Sequence, residues 1–195
     1  MGKRLGVMGG TFDPIHHGHL VTAEEARAQF HLDEVLFVPT GRPWMKAHDN
    51  VSPAEHRYLM TVIATASNLR FTVSRIEVDR EGPTYAVDTL RQLQDEQGAG
   101  TELFFITGAD AMLEILHWKE PQELYELAQF IAATRPGYDL AVFDEEAHPR
   151  VTVMPIPALA ISSTDIRARV AEGRPIQYLV PEGVEYYIEK VWLYR

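Results

Sequence analysis

The chain has 195 residues, 46% of them hydrophobic and 24% charged, which predicts one globular domain over residues 1–195. Its net charge of −10 argues against general binding to nucleic acid or to an anionic membrane, so we expect neither as a partner. It contains no cysteine, which excludes disulfides, thiolate catalysis and cysteine-ligated zinc. No signal peptide or apolar run of membrane-spanning length is evident, and we therefore expect a cytoplasmic protein.

Short apolar runs alternate with amphipathic segments along the chain. In chain order, the predicted strands cover residues 4–8, 34–39, 71–75, 103–107, 130–134 and 151–154. The predicted helices cover residues 18–30, 52–68, 84–97, a segment from residue 109 onwards, 164–172 and 184–193. For the second helix, Ser52 is the predicted cap and Glu55 completes a capping box. The alternation predicts an α/β fold, a doubly wound, Rossmann-like parallel sheet with helices on both faces.

The stretch GGTFDPIHHGHL, residues 9–20, follows the first predicted strand, where ligands bind in such sheets. Gly9 and Gly10 are expected to break the strand and to let the backbone approach a ligand closely. The helix that follows presents free N–H groups and a positive dipole end, which together attract anions. His16 and His19, three positions apart, share a helical face and could donate to phosphate oxygens.

Three histidines in this stretch also suggest zinc as an alternative. However, the adjacent His16 and His17 cannot easily share a metal on a helix, and a structural site needs four ligands. A capped turn without any ligand would explain the glycines, Asp13 and Pro14, but not the paired spacing of the histidines. We therefore favour phosphate binding and interpret His17 as an incidental surface residue.

A second cluster, ISSTDIRAR at residues 161–169, has complementary chemistry. Ser162, Ser163 and Thr164 can cap the helix and donate hydroxyl groups to phosphate. Arg167 lies one turn further on, with a planar guanidinium suited to phosphate oxygens. An ordinary N-cap and a surface arginine would explain this cluster equally well by itself. Placed across one sheet from the first motif, it predicts a local cationic pocket in an acidic chain.

Both stretches resemble motifs of the nucleotidyltransferases related to class I aminoacyl-tRNA synthetases. The first motif, G-x-F/T-x-P-x-H-x-x-H, is matched by Gly10, Phe12, Pro14, His16 and His19. The second motif, S-x-T-x-x-R, is matched by Ser162, Thr164 and Arg167. Within that superfamily, the chain is similar over almost its whole length to the bacterial nicotinate-nucleotide adenylyltransferases. The further matching segments are GPTYAVDTL (82–90), FITGADAMLEILHW (105–118), TRPGY (134–138) and YLVPEGVEYYI (178–188).

The resemblance implies that ATP and nicotinate mononucleotide react to give deamido-NAD and pyrophosphate in NAD biosynthesis. It implies Mg²⁺ as the cofactor, held by ATP phosphates and water without a dedicated protein metal site. The implied catalytic residues are His16, His19, Lys46 and Arg167. The implied ATP-binding residues are Gly9, Gly10, Thr11, Phe12, His16, His19, Gly108, Asp110, Ser162, Ser163, Thr164 and Arg167. The implied residues for nicotinate mononucleotide are Thr84, Tyr85, Trp118 and Arg135.

Several alternatives stay open at this level. Trp118, implied to stack on the pyridine ring, could instead face the core from an amphipathic helix. Thr84 and Tyr85 could form a simple N-cap, and Arg135 could be a surface arginine. Many family members carry Pro-Pro-His-Lys after the second strand, whereas this chain has Pro-Trp-Met-Lys at residues 43–46.

The sequence also leaves open the identity of the acceptor substrate and the oligomeric state. Nicotinamide mononucleotide or phosphopantetheine could replace nicotinate mononucleotide as the acceptor. A second class of protein, a non-catalytic nucleotide sensor, would share the fold. A homo-oligomer is possible.

Overall fold

The computed structural model describes residues 2–42, 51–98, 100–134, 150–157 and 159–195. Within these ranges the strands are β1 (Arg4–Gly10), β2 (Glu34–Pro39), β3 (Phe71–Val73), β4 (Glu102–Gly108), β5 (Gln129–Thr134) and β6 (Val151–Pro155). The helices are α1 (His17–Gln29), α2 (Ala54–Thr65), α3 (Ala86–Gln97), α4 (Ala109–Leu113), α5 (Pro121–Leu127), α6 (Ser163–Ala171) and α7 (Glu182–Val191), with a 3₁₀ turn at Ile115–His117. In the part of the chain described, no helix is long and apolar enough to cross a membrane.

The strands form one sheet in the order β3-β2-β1-β4-β5-β6, and every neighbouring pair is parallel. The near-continuous apolar sequences of β2 and β4 suit strands that are covered on both faces. One face packs against α1, α2, α6 and α7, and the other packs against α3, α4 and α5. The predicted doubly wound parallel sheet is therefore confirmed. The strand order reverses between β1 and β4, which places a ligand-binding crevice at their carboxyl ends.

The prediction that Gly9 and Gly10 break the first strand is wrong. Both glycines continue β1, opposite Val38 and Pro39 of β2. A Cβ on Gly9 would lie 2.8 Å from the Phe105 ring, and a Cβ on Gly10 would lie 2.8 Å from the ring of Phe12. These two glycines are therefore required by the packing of neighbouring aromatic rings.

The expected capping box at Ser52 is also wrong. Helix α2 begins at Ala54 with Pro53 as the N-cap residue, and no side chain caps it. Instead, the Ser52 N–H donates to Asp13 and the Ser52 carbonyl accepts from Arg57. The backbone of Ser52 thus contacts the loop that follows β1, a long-range contact that a local capping pattern does not reveal.

The helix expected from residue 109 is divided into α4, the 3₁₀ turn and α5. Pro121 starts a new helix, and Glu120 before it has the left-handed backbone conformation that separates the two helical segments. Trp118 follows the 3₁₀ turn with an extended backbone, so it does not lie on an amphipathic helix. In the same way, α3 begins at Ala86 rather than at residue 84, and Tyr85 is its N-cap residue.

Candidate active site

The loop between β1 and α1 places two histidine rings face to face. His16 is the N-cap residue of α1, and its backbone N–H donates to Nδ1 of His19 over 3.2 Å. The two rings stack with centroids 3.7 Å apart, which confirms that His16 and His19 share a face. Because Nδ1 of His19 accepts this bond, a neutral His19 carries its proton on Nε2, which makes Nε2 a donor.

The Phe12 ring packs against the histidine pair. Its side chain is 2% exposed and meets the His19 ring edge-on, with centroids 5.1 Å apart. The same ring lies against Phe37 in the core. The sequence-based prediction assigned Phe12 to ATP binding. In the structure its side chain is buried and packs against His19.

The start of α6 is fastened to the same loop. Ser162 caps the helix as predicted, since its Oγ accepts from the Asp165 N–H over 3.1 Å. The Ser163 hydroxyl donates to the carbonyl of Pro14 over 2.9 Å. The starts of α1 and α6 are therefore held beside each other, each with the positive end of its dipole at the carboxyl edge of the sheet.

A cavity of about 570 Å³, the histidine cavity, opens between these two helix starts. Its wall brings together seven of the predicted ATP-binding residues, namely His16, His19, Gly108, Asp110, Ser162, Ser163 and Thr164. The wall also contains Thr22 and Thr134, which the sequence reasoning did not identify. The chemistry of this wall, with imidazoles, hydroxyls and helix N-termini, suits a polyanion.

Arg167 is not on the wall of the histidine cavity, but it contacts both the β1–α1 loop and the wall residue Thr164. Its Nη1 donates to the carbonyl of Asp13 over 2.8 Å, and its Nη2 lies 3.4 Å from Oγ1 of Thr164. A guanidinium has five N–H donors, so these bonds leave others for a ligand.

A second cavity of about 310 Å³, the tryptophan cavity, lies on the other side of β1. Its wall includes three residues assigned by sequence to ATP, Gly9, Gly10 and Thr11, which the structure does not place on the histidine cavity. The wall also brings together Thr84, Tyr85 and Trp118, as expected for one common site. The remaining wall residues are Thr40, Glu77, Ala86, Phe105, Thr107, Ala111 and Lys119.

The aromatic side of the tryptophan cavity is built on β4. The indole of Trp118 packs edge-on against Phe105 of that strand, with centroids 5.9 Å apart. Among the described residues, the buried Nε1 of Trp118 has no hydrogen-bond partner. Lys119 lies over the Tyr85 ring, 4.9 Å from its centroid, and pairs with Asp88 at 3.0 Å.

A buried carboxyl group, missed in the sequence, lies on the same wall. Glu77 is 8% exposed, and its Oε1 accepts from the Thr89 hydroxyl over 2.8 Å. Burial raises the pKa of Glu77, and its hydrogen bonds only partly oppose that shift. Nothing in the local sequence distinguishes Glu77 from the surface glutamates.

A buried arginine, Arg57, binds the β1–α1 loop. The sequence-based prediction did not include it. Arg57 is 1% exposed and donates to the carbonyl oxygens of Ser52, Thr11 and Gly41 over 2.8, 2.8 and 2.9 Å. Burial lowers the pKa of Arg57, and the negative charge of Asp13 opposes this. One sequence signal could have revealed it, because Arg57 lies three and four positions before the buried Met60 and Thr61 on one face of α2.

Two predicted site residues, Lys46 and Arg135, lie outside the described residues, as does the Pro-Trp-Met-Lys departure. Across the described ranges, no group of three or more His, Cys, Asp or Glu side chains is arranged to hold a metal ion.

The sequence matches the model of one protein family, described as cytidylyltransferase-like, over residues 7–169. By its fold and by this match, the chain is a nucleotidyltransferase of the cytidylyltransferase-like family. It is 62% identical to a probable nicotinate-nucleotide adenylyltransferase of Leifsonia xyli subsp. xyli, over 98% of this chain and 94% of that protein. It is 61% identical to one from Salinispora arenicola, over 96% of this chain and all of that protein. The chain therefore belongs to the nicotinate-nucleotide adenylyltransferases.

Solved structures have the same fold. Two structures of the Plasmodium falciparum nicotinic acid mononucleotide adenylyltransferase superpose with TM-scores of 0.83 and 0.80. Each is 21% identical to this chain, and each match covers 98% of this chain and 97% of the other.

Proposed function

We propose that this protein transfers the adenylyl group of ATP to nicotinate mononucleotide, forming deamido-NAD and pyrophosphate in NAD biosynthesis. The observation that carries the proposal is the pair of chemically different cavities on either side of the β1–α1 loop. The names of the 62% and 61% identical relatives support the same reaction. The P. falciparum enzyme, which shares the fold, was solved with NaAD in one structure and with APC in another.

In this proposal the histidine cavity binds the triphosphate of ATP. The positive ends of α1 and α6 and the N–H groups of His16 and His19 compensate the phosphate charge. The Thr164 hydroxyl adds a donor, whereas the Ser163 hydroxyl already donates to the Pro14 carbonyl and can only accept a further hydrogen bond. Asp110 on the same wall can accept from a ribose hydroxyl. Arg167 and Lys46 are proposed to neutralise the β- and γ-phosphates.

The tryptophan cavity binds the nicotinate mononucleotide. The Trp118 indole offers a flat surface to the pyridine ring. The nicotinate carboxylate is proposed to lie at the start of α3, beside Thr84 and Tyr85, where the positive end of the helix dipole favours an anion. The N–H of Thr84 itself already donates to the carbonyl of Arg42 over 3.1 Å. Arg135 is proposed to contact the mononucleotide phosphate.

The chemistry follows from bringing the two substrates together at the loop. A phosphate oxygen of the mononucleotide attacks the α-phosphorus of ATP, and the bond from that phosphorus to the bridging oxygen breaks. Pyrophosphate leaves with the bonding electrons. Because the attacking phosphate is already ionised, no general base is needed, and the protein supplies alignment and charge stabilisation. His19 contributes most by donating to oxygens on which negative charge increases.

We further propose that Mg²⁺ is the cofactor and binds together with ATP. Asp110 is the one carboxylate among the described residues of the histidine cavity wall, so the wall fits an ion held chiefly by phosphate oxygens and water. When bound, the ion would lower the negative charge of the triphosphate. The cytoplasmic location and the possible homo-oligomer stay predictions from the sequence.

An acceptor panel tests the proposed function. The purified protein is mixed with ATP, Mg²⁺ and one acceptor at a time, namely nicotinate mononucleotide, nicotinamide mononucleotide or phosphopantetheine, and pyrophosphate release is followed. We expect the highest kcat/KM with nicotinate mononucleotide. Release with phosphopantetheine alone would contradict the proposal, and no release with any acceptor would indicate a nucleotide-sensing protein.

A further inference from the structure

The end of the chain returns to the loop that carries the histidines. Tyr194 follows α7, and its ring is partly buried against the core. Its hydroxyl donates to Oδ1 of Asp13 over 2.7 Å, across 181 positions of sequence. Asp13 lies three residues before His16, in the middle of the β1–α1 loop.

Asp13 joins several parts of the site through different atoms. Its side chain is buried, with the residue 4% exposed, and its Oδ2 accepts from the N–H of Ser52 over 3.1 Å. Its backbone carbonyl accepts from Arg167 over 2.8 Å. The buried charge of Arg57 lies near enough to interact with the carboxylate. Asp13 is therefore the point at which the C-terminal tail, the segment before α2 and helix α6 all meet the loop.

We propose that Tyr194 is a positioning residue for adenylyl transfer, acting through Asp13 to hold the His16–His19 pair against the substrate phosphates. The inference rests on the proposed function for its effect on turnover. Nothing in the reaction requires the Tyr194 hydroxyl to touch a substrate. Its effect is exerted through the orientation of the Asp13 carboxylate and, three residues later, of His16.

The Tyr194 hydroxyl is suited to act as a permanent donor. Burial and the neighbouring Asp13 carboxylate raise the pKa of Tyr194 well above its ordinary value of 10.0, because both disfavour a negative charge on its hydroxyl. The hydroxyl therefore keeps its proton, and the bond to Asp13 persists across the neutral range. Charged and polar groups facing this pair also include Arg57, Arg167 and Ser52, and the Ser52 N–H donates to the second carboxylate oxygen of Asp13.

The loop retains other anchors when this hydroxyl is removed. Arg57 still holds the carbonyl of Thr11, and Ser163 still holds the carbonyl of Pro14. A phenylalanine at position 194 also keeps the ring that packs against the core. We therefore expect the Tyr194→Phe variant to fold, with a β1–α1 loop that is less precisely placed. Small misplacements of reacting groups reduce turnover strongly.

The test compares two tyrosines from the same end of the chain. Tyr194→Phe is expected to lower kcat about tenfold while the KM values for ATP and nicotinate mononucleotide stay within about twofold. Tyr187→Phe is the matched control, since its hydroxyl bonds to Nδ1 of His56 over 2.8 Å and does not contact the loop. It should leave kcat unchanged. Asp13→Asn should also lower kcat, and combining it with Tyr194→Phe should add little, because both act at one contact.

Hydrogen–deuterium exchange of the loop supplies a second measurement that needs no turnover. Tyr194→Phe should speed amide exchange in residues 11–16, and Tyr187→Phe should not. An unchanged kcat with unchanged exchange, a rise in KM in step with the fall in kcat, or equal losses in both phenylalanine variants would overturn the proposal. If the wild-type protein forms no dinucleotide, the proposed function fails, and the exchange experiment alone decides whether Tyr194 positions the loop.

Discussion

The histidine cavity and the tryptophan cavity share the carboxyl edge of one sheet but are built differently. The histidine cavity takes most of its polar wall from two short segments, residues 16–22 and 161–164, each at the start of a helix. The tryptophan cavity collects its wall from strand ends, the segment before α3 and the turn after α4. A phosphate site can be made from helix starts, whereas an aromatic pocket needs large side chains from distant segments. The first kind of site is visible as a sequence motif, and the second is assembled only by the fold.

The largest expected effect concerns the histidine cavity. His19→Ala removes the donor that we propose contacts the ATP phosphates, and kcat should fall by about 10²–10³-fold. Steady-state kinetics with ATP and nicotinate mononucleotide would measure this loss. His17→Ala is the matched control on the same helical turn, because His17 is not on the cavity wall. Similar turnover in both variants would remove His19 from its assigned role.

A substitution in the tryptophan cavity should separate the two substrates. Trp118→Ala removes the proposed stacking surface, and the KM for nicotinate mononucleotide should rise about tenfold or more. The KM for ATP should change far less, since Trp118 is not on the wall of the histidine cavity. Trp118→Phe keeps an aromatic ring and should recover part of the loss. Equal increases in both KM values would show that Trp118 serves the core of the protein instead.

The buried carboxyl of the tryptophan cavity should make stability depend on pH. Because the pKa of Glu77 in the folded protein is raised above 4.5, the folded state keeps this proton where the unfolded chain has lost it. The contribution of Glu77 to the free energy of unfolding should therefore fall by about 1.4 kcal/mol per pH unit, from pH 4.5 up to the folded-state pKa. Urea denaturation over this range should show that the free energy of unfolding of Glu77→Gln, relative to the wild type, rises as the pH rises, because the variant lacks this contribution.

The exposed Glu96→Gln on α3 is the control for this measurement. It should reproduce the wild-type slope. If the free energy of unfolding of Glu77→Gln depends on pH as that of the wild type does, the pKa of Glu77 is not raised in the folded protein.

The smallest expected effect separates capping from ligand binding in the histidine cavity. Ser162→Ala removes the N-cap of α6 and should cost about 1 kcal/mol. In a protein of this size that lowers the melting temperature by about 2–4 °C. The exposed Ser67→Ala should leave the melting temperature unchanged. If Ser162 also binds phosphate, the KM of this variant for ATP should rise while its KM for nicotinate mononucleotide stays constant. An unchanged KM for ATP would show that Ser162 only caps the helix.

Much of the fold is predictable from the sequence because each signal is local. The apolar runs at 34–39 and 103–107 mark buried parallel strands, and the Ser162 cap marks the start of α6. The errors arise where a distant residue determines the local conformation. The ring of Phe105, on another strand, explains why Gly9 continues β1, and the bond from the Ser52 N–H to Asp13 replaces a capping box.

The candidate site follows the same rule. His16 and His19 are found from their spacing, since three positions on a helix bring two side chains together. Tyr194 cannot be found in this way, because its partner Asp13 is 181 positions away and only the folded chain brings them into contact. The division of Gly9, Gly10 and Thr11 from the other predicted ATP-binding residues likewise depends on which side of β1 each cavity occupies.

The most direct test of the account follows one phosphorus atom. The protein is incubated with Mg²⁺, nicotinate mononucleotide and ATP labelled with ³²P at the α-position, and the products are separated by chromatography. We predict that the label appears in deamido-NAD while pyrophosphate is unlabelled, and that both products form in equal amounts. Label that stays in ATP, or that appears in AMP without consumption of nicotinate mononucleotide, would contradict adenylyl transfer between the two cavities.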